Sequence, residues 1–152
     1  MMEYDRGYMA DTPMLEVRDL TKQYKGFLLD KVSFTLPKGF IMGYVGPNGA
    51  GKSTTLGLIT KTHRADAGEV LLDGKRYEED PISYKEKIGY VSSVSYFRPT
   101  MNIKDAVLLL RQFYPTFSKE KFYHYVKAWD LPEKKKFSAC STGMMVKLMF
   151  AA

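Results

Sequence analysis

Nine residues constrain this chain more than any other stretch: "GPNGAGKST" at positions 46–54, set directly after the apolar run "FIMGYV" and before a helix-like pattern. The stretch fits G-x-x-x-x-G-K-S/T in full, and a strand before it with a helix after it is the context that gives the pattern its meaning. Gly46, Gly49 and Gly51 let the backbone turn tightly and bring its N–H groups against phosphate oxygens. The N-terminus of the following helix adds partial positive charge at the same place. Lys52 is long enough to reach β- and γ-phosphates, and the Ser53 hydroxyl can bind Mg²⁺. Pro47, Asn48, Ala50 and Thr54 complete the loop. The pattern predicts a nucleotide phosphate site.

The flanking sequence predicts a β-rich first half and a helical second half. Residues 14–20, "MLEVRDL", alternate apolar and polar with Leu15, Val17 and Leu20 on one side, as a half-buried strand does. Residues 28–36 repeat this through Val32, Phe34 and Leu36, and Pro37-Lys38-Gly39 then reads as a turn. The run 40–45 suits a strand buried on both faces, followed by a helix from Gly51 to about Thr60. "GEVLLDGK" (68–75) reads as a strand with a tight Asp-Gly turn, and "KIGYVS" (87–92) as a second buried strand. After Pro99 the period changes to that of a helix. Ile103, Ala106, Val107, Leu110, Phe113 and Tyr114 share one face, and Phe122, Tyr125, Val126 and Trp129 another. Pro115 and Pro132 bound these helices.

Composition narrows the class further. The chain is 152 residues long, 45% hydrophobic and 26% charged, which is the balance of a globular protein. No apolar run approaches the ~20 residues that span a bilayer. The first residues lack the basic, apolar and small-residue series of a secretory signal. The one cysteine, Cys140, has no internal partner, which favours a reducing cytoplasm and a small buried hydrophobe over a reactive thiol. A net charge of +6 is spread along the chain, and its only tight cluster is "EKKKF" at 133–137. That is too little concentration for a nucleic-acid stripe, so no nucleic-acid partner is expected.

From "LTKQYKGFLLDKVSFTLPKGFIMGYVGPNGAGKSTTLGLI" (20–59) the sequence resembles the ATP-binding subunits of ABC transporters. The likeness continues through "ADAGEVLLDGK", "KIGYVS" and the closing Ser-x-Gly, and it covers nearly the whole chain from about Met14. It implies an α/β fold: a P-loop NTPase core with an antiparallel β subdomain and an α-helical subdomain, the latter at about 96–140. Residues 1–13 would form an N-terminal extension, with 14–152 the N-terminal portion of the ATP-binding domain. The resemblance implies ATP and Mg²⁺ as cofactors, with Lys52 as the catalytic residue of the loop and Ser53 as the metal ligand. In that family an aromatic at the position of Tyr24 stacks on adenine.

Read through the same resemblance, Cys140, Ser141, Thr142, Gly143 and Met144 occupy the positions of the family's Leu-Ser-Gly-Gly-Gln signature. Ser141 and Gly143 match it. A serine opening a helix caps free N–H groups, and those groups make an anion site. In the family this site holds the γ-phosphate of ATP bound to the other subunit, so two subunits, identical or related, close head to tail around two nucleotides. The Ser-x-Gly-Met form and "RQFYPTFSKEKF" (111–122) are similar to bacterial exporter ATPases. The partner so implied is an integral membrane permease, docked on the helical subdomain, which places the protein on the cytoplasmic face of the membrane. Soluble family members acting on nucleic acid or ribosomes, a nucleotide-binding fragment with no transport role, and small-molecule kinases with the same loop are the alternatives.

Cys140, Thr142 and Met144 depart from that signature, and two further features depart from the family's pattern. Ser93 stands where the family has a glutamine that touches Mg²⁺ and the attacking water, and serine is too short to reach as glutamine does. The family's Asp-Glu, the acids for Mg²⁺ and water, would lie beyond the signature. "VLLD" at 70–73 looks like an apolar strand ending in Asp, but Asp73-Gly74 reads as a hairpin turn; His63 and His124 have no catalytic placement. Val146, Leu148, Met149, Phe150 and Ala151 make the last helix apolar nearly all round, which expects burial on every side. The sequence is therefore expected to be a truncated ATPase with its C-terminal part missing, binding nucleotide without turnover.

Overall fold

Alternating apolar and polar side chains carry residues Leu15–Tyr24 as strand β1, and Phe27–Leu36 return antiparallel as β2. The computed structural model describes residues 12–92 and 94–152, and these fall into two compact units that divide between Gly89 and Tyr90. In the first unit, Ala67–Leu72 (β3) and Lys75–Arg76 (β4) complete a four-stranded antiparallel sheet of order β2-β1-β3-β4. The β3–β4 connection is the Asp73-Gly74 turn expected from sequence, with φ of 53° and 75° at its two centres. Helix α1 spans Lys52–Ile59, as the 3.6-residue pattern predicts, and a short α2 spans Pro81–Glu86 behind an Asp80 cap.

Strand β1 slips register between Val17 and Leu20 and again before Lys22. Asp19 takes φ 46° there, and its backbone N–H donates to Ser33 Oγ at 2.8 Å instead of to a carbonyl. An extra residue in a strand re-phases the side chains beyond it. Val17 and Leu20, an odd number of positions apart, are consequently both 1% exposed in one core. Leu29, Leu58, Ile59, Val70, Leu72 and Tyr84 join them. The Tyr84 hydroxyl donates to the Ile59 carbonyl at 2.8 Å, tying α2 to the end of α1. Burial, with a smaller contribution from Glu78, pushes that hydroxyl up to about 12.

The second unit is helical: α3 at Ile103–Phe113, α4 at Lys119–Ala128 and α5 at Thr142–Ala151, with a 3₁₀ turn at Phe137–Ala139. Each α-helix starts at a side-chain cap. Asn102 and Asp105 form a reciprocal capping box, Ser118 accepts from Lys121 N, and Ser141 accepts from Met144 N. Helix α3 ends on Tyr114 in extended conformation, as the residue before Pro115 must. Phe122, Val126, Ala106, Val107, Leu110 and Leu148 lie in its core.

Three sequence expectations are corrected. Residues 40–45 form no strand and lie exposed, with Ile41 100% and Val45 91% accessible. Residues 87–92 likewise form no strand. A run apolar on both faces needs neighbours on both edges to become a strand, and no described strand lies beside either. Phe113, Tyr114 and Tyr125 are exposed rather than facing the core, so the buried stripes of α3 and α4 are narrower than the apolar ones. In α5 only Leu148 and Met149 are buried, while Phe150 is exposed.

Candidate functional site: the phosphate loop

The loop at 46–54 owes its shape to two left-handed glycines. Gly49 has φ 83°, and Gly51, with φ 90°, is the residue before the first turn of α1. Space is open where a side chain at Gly49 would point. At Gly51 the opposite holds. A Cβ there would lie 2.7 Å from Leu29 Cδ1 and 3.0 Å from Phe27 Cζ, so the β1–β2 hairpin packs directly on the loop. The Ala50 N–H donates to the Pro47 carbonyl at 3.3 Å, closing the turn between them.

Lys52 folds back over this turn. Its Nζ donates to the carbonyls of Gly46 at 2.7 Å and Pro47 at 2.6 Å, which sets the ammonium at the mouth of the loop. No acidic residue occupies the first turn of α1, so the positive end of the helix dipole is uncompensated by its own side chains. A cleft of about 420 Å³ opens there, lined by Phe27, Asn48, Gly49, Gly51, Lys52, Ser53 and Thr54. Ser53 is exposed, and its hydroxyl makes no hydrogen bond among the described residues. An exposed hydroxyl next to an ammonium and free helix N–H groups fits a hydrated Mg²⁺ bound beside phosphates. The donor set fits a polyphosphate, since every charged or strongly polar side chain lining the cleft is cationic or neutral.

Two braces beneath the loop escaped the sequence reading. Thr55 is 0% exposed, and its hydroxyl donates to the Gly51 carbonyl at 3.0 Å. That uses its one proton, so the Tyr44 hydroxyl at 3.3 Å is the donor to Thr55 Oγ1. The Tyr44 ring in turn packs on Phe34, with centroids 5.7 Å apart. The signal for Thr55 was present in the spacing 55, 58, 59, which places it on the buried face of α1 with Leu58 and Ile59. Phe27 was also missed, although a hairpin turn at 25–26 makes it the cross-strand neighbour of Tyr24.

Tyr24 itself is not among the residues lining the cleft; it pairs across the β1–β2 hairpin with Phe27, which is. Its ring is 38% exposed, meets His63 edge-on at 6.5 Å, and lies 5.5 Å from the Lys22 ammonium. Asp66 holds this corner: it accepts from Lys22 Nζ at 2.7 Å and from Gln23 N at 2.8 Å. The Gln23 N–H first, and then Lys22, hold its carboxyl below the usual aspartate range.

Ser141 and Gly143 lie in the second unit, at the N-terminus of α5, where Ser141 Oγ accepts from Met144 N at 3.2 Å. Cys140 is half-buried and donates weakly to the Lys136 carbonyl at 3.7 Å. Ser93 and residues 1–11 lie outside the described residues. Asp73 sits in the β3–β4 turn with its carboxylate between Lys38 and Lys87, each at 2.7 Å. Lys38 first, and then Lys87, lower its pKa to about 2. His124 packs against Tyr125 on α4. Among the described residues no group of three or more metal-ligating side chains is assembled, and no helix is long and apolar enough to cross a membrane.

The family model for ABC transporters matches residues 29–152. The ABC transporter ATP-binding protein YtrB of Bacillus subtilis (strain 168) is 36% identical over 136 residues, covering 89% of this chain and 46% of that protein. The petrobactin import ATP-binding protein YclP of the same organism is 33% identical over 131 residues, covering 80% of this chain and 52% of that protein. A solved ATP-binding subunit of an ABC transporter superposes with a TM-score of 0.76 at 23% identity, over 91% of this chain and 60% of that one, a likeness of fold. The chain thus spans about half the length of the curated relatives it matches. A phosphate loop braced between hairpin and helix, a family match through the last residue and a shared α/β fold converge: the chain belongs to the ABC transporter family of ATP-binding subunits.

Proposed function

We propose that this chain binds ATP with Mg²⁺ through residues 46–54, as part of a subunit that drives transport through a separate membrane permease. The observation that carries the reading is Lys52 turned onto the Gly46 and Pro47 carbonyls at the mouth of an acid-free cleft. Carbonyl oxygens are weak partners for an ammonium compared with phosphate, so Lys52 would exchange them for β- and γ-phosphate oxygens. The N–H groups of Gly49, Gly51 and Lys52 would take further phosphate oxygens, Ser53 would hold the metal, and Tyr24 would carry the adenine. Mg²⁺ supplies charge neutralisation when bound; this chain's residues bind and orient.

In the complete protein, Ser141 and Gly143 would offer the N-terminus of α5 to the γ-phosphate on a second subunit, closing a head-to-tail dimer. The helical residues 96–140 would dock on the permease at the cytoplasmic face, and the Ser-Thr-Gly-Met step at 141–144 favours export. The apolar runs 40–45 and 87–92, neither of them in a strand among the described residues, support the view that further sheet strands belong beside them. With no carboxylate lining the cleft, this chain is expected to bind nucleotide without hydrolysing it.

Calorimetric titration with ATP and Mg²⁺, run beside a phosphate-release assay, tests this. Lys52→Ala removes charge-assisted hydrogen bonds of about 1.5–3 kcal/mol, so affinity should fall roughly 10- to 150-fold. Equal ATP affinity in the variant would overturn the assignment of the loop, and sustained phosphate release by the unaltered chain would overturn the binding-only reading.

A further inference from the structure

One residue holds the end of β1 from the side where its ladder runs out. The last pairing between β1 and β3 is Thr21 with Ala67, so the three residues that follow have no strand neighbour on that side. Asp66, just before β3, takes over. Its N–H donates to the Thr21 carbonyl at 3.0 Å, its Oδ2 accepts from the Gln23 N–H at 2.8 Å, and its Oδ1 accepts from Lys22 Nζ at 2.7 Å. Three consecutive residues of the strand are thereby fixed by one side chain and its own backbone.

The next residue is Tyr24. Side chains two apart on a strand share a face, so Lys22 and Tyr24 lie on the same side of β1. The Lys22 ammonium accordingly stands 5.5 Å from the Tyr24 ring centroid, within cation–π range, while Asp66 prevents it from swinging into solvent. His63 meets the same ring edge-on, from the loop that follows α1.

We propose that Asp66 is a positioning residue for the nucleotide base: by clamping Gln23 and Lys22 it seats the Lys22 ammonium on the Tyr24 ring and fixes the plane on which the base stacks. This rests on the reading of Tyr24 as the base platform. The clamp acts on the base end of the ligand and not on the phosphates, which the loop at 46–54 holds independently. Asp66 therefore contributes to preference for a nucleotide over a bare polyphosphate of the same charge.

The test uses the whole chain, with calorimetric titration of ATP and of inorganic tripolyphosphate, each with Mg²⁺. Asp66→Ala and, as a variant that leaves the backbone clamp intact, Lys22→Met should each weaken ATP about 3- to 10-fold while tripolyphosphate affinity stays within twofold, the size expected for an exposed cation–π contact with added loss of order. Asp66→Asn keeps one acceptor oxygen and should lie between. The clamp is refuted if Asp66→Ala binds ATP as tightly as the unaltered chain, or if it loses ATP and tripolyphosphate alike, as a merely structural defect would. If the unaltered chain binds ATP no more tightly than tripolyphosphate, the Tyr24 platform fails and the clamp with it; if it binds neither, the nucleotide reading itself fails.

Discussion

Replacing Gly51 with alanine separates two contributions that a phosphate loop usually combines. Gly51 and Gly49 have nearly the same φ, 90° and 83°. An L-residue in that conformation costs about 1–2 kcal/mol at either position. The surroundings differ. At Gly49 an added Cβ meets nothing within 4 Å, whereas at Gly51 it would stand 2.7 Å from Leu29 Cδ1 and 3.0 Å from Phe27 Cζ. Leu29 is buried in β2 and cannot retreat without disturbing the core. Overpacking of this kind costs about 1–3 kcal/mol. Gly49→Ala should therefore destabilise by about 1–2 kcal/mol and Gly51→Ala by about 2–5 kcal/mol. Native-state hydrogen exchange without nucleotide, read on peptides covering β2 and α1, resolves the difference locally. Protection there should fall roughly 5- to 30-fold for Gly49→Ala and from 30-fold to several thousand-fold for Gly51→Ala, since about 1.4 kcal/mol is a factor of ten. Peptides of the second unit serve as an internal reference. Equal losses in the two variants would show that the hairpin does not seat the loop.

Two further outcomes follow from the same geometry. Asp73→Asn breaks the contacts to Lys38 and Lys87. Because the folded pKa is lowered from 3.8 to about 2, the stability Asp73 contributes is present above pH 3.8 and lost as pH falls through 2. Acid-unfolding curves of wild type and variant should differ near neutrality and converge below about pH 2; a constant offset would refute the ion-pair explanation. Ser141→Ala removes the cap on α5 and should lower the stability of the helical unit by about 0.5–2 kcal/mol, while Ser141→Gly should lower it by only a few tenths. Trp129, the sole tryptophan, reports on that unit in urea titrations.

Legibility followed the range of the interactions. Local signals are legible in the sequence: the turn-rich loop and α1, the Asp73-Gly74 turn, the helix start at Ser141, and the stop before Pro115. The runs 40–45 and 87–92 were misread because a strand is a relation between segments, and an apolar run supplies only one side of it. The bulge at Asp19 was invisible because it depends on a hydroxyl fourteen residues away, Ser33. Within the site, the motif exposed every residue that faces the cleft from 46–54. It could not expose Thr55, Tyr44, Phe27 or Asp66, which act by packing and hydrogen bonding across the fold.

The exposed run at 40–45 bears on how any of these measurements behaves. "FIMGYV" is uncharged, free of proline and rich in β-prone residues, the composition of a self-adhesive segment. It also leads without a break into Gly46, the first residue of the phosphate loop. Were chains to pair along this stretch and nucleotide to bind the loop beside it, any coupling between the two would act equally in both directions. Apparent affinity for ATP should drift with protein concentration, and saturating ATP should shift light scattering by the matching amount.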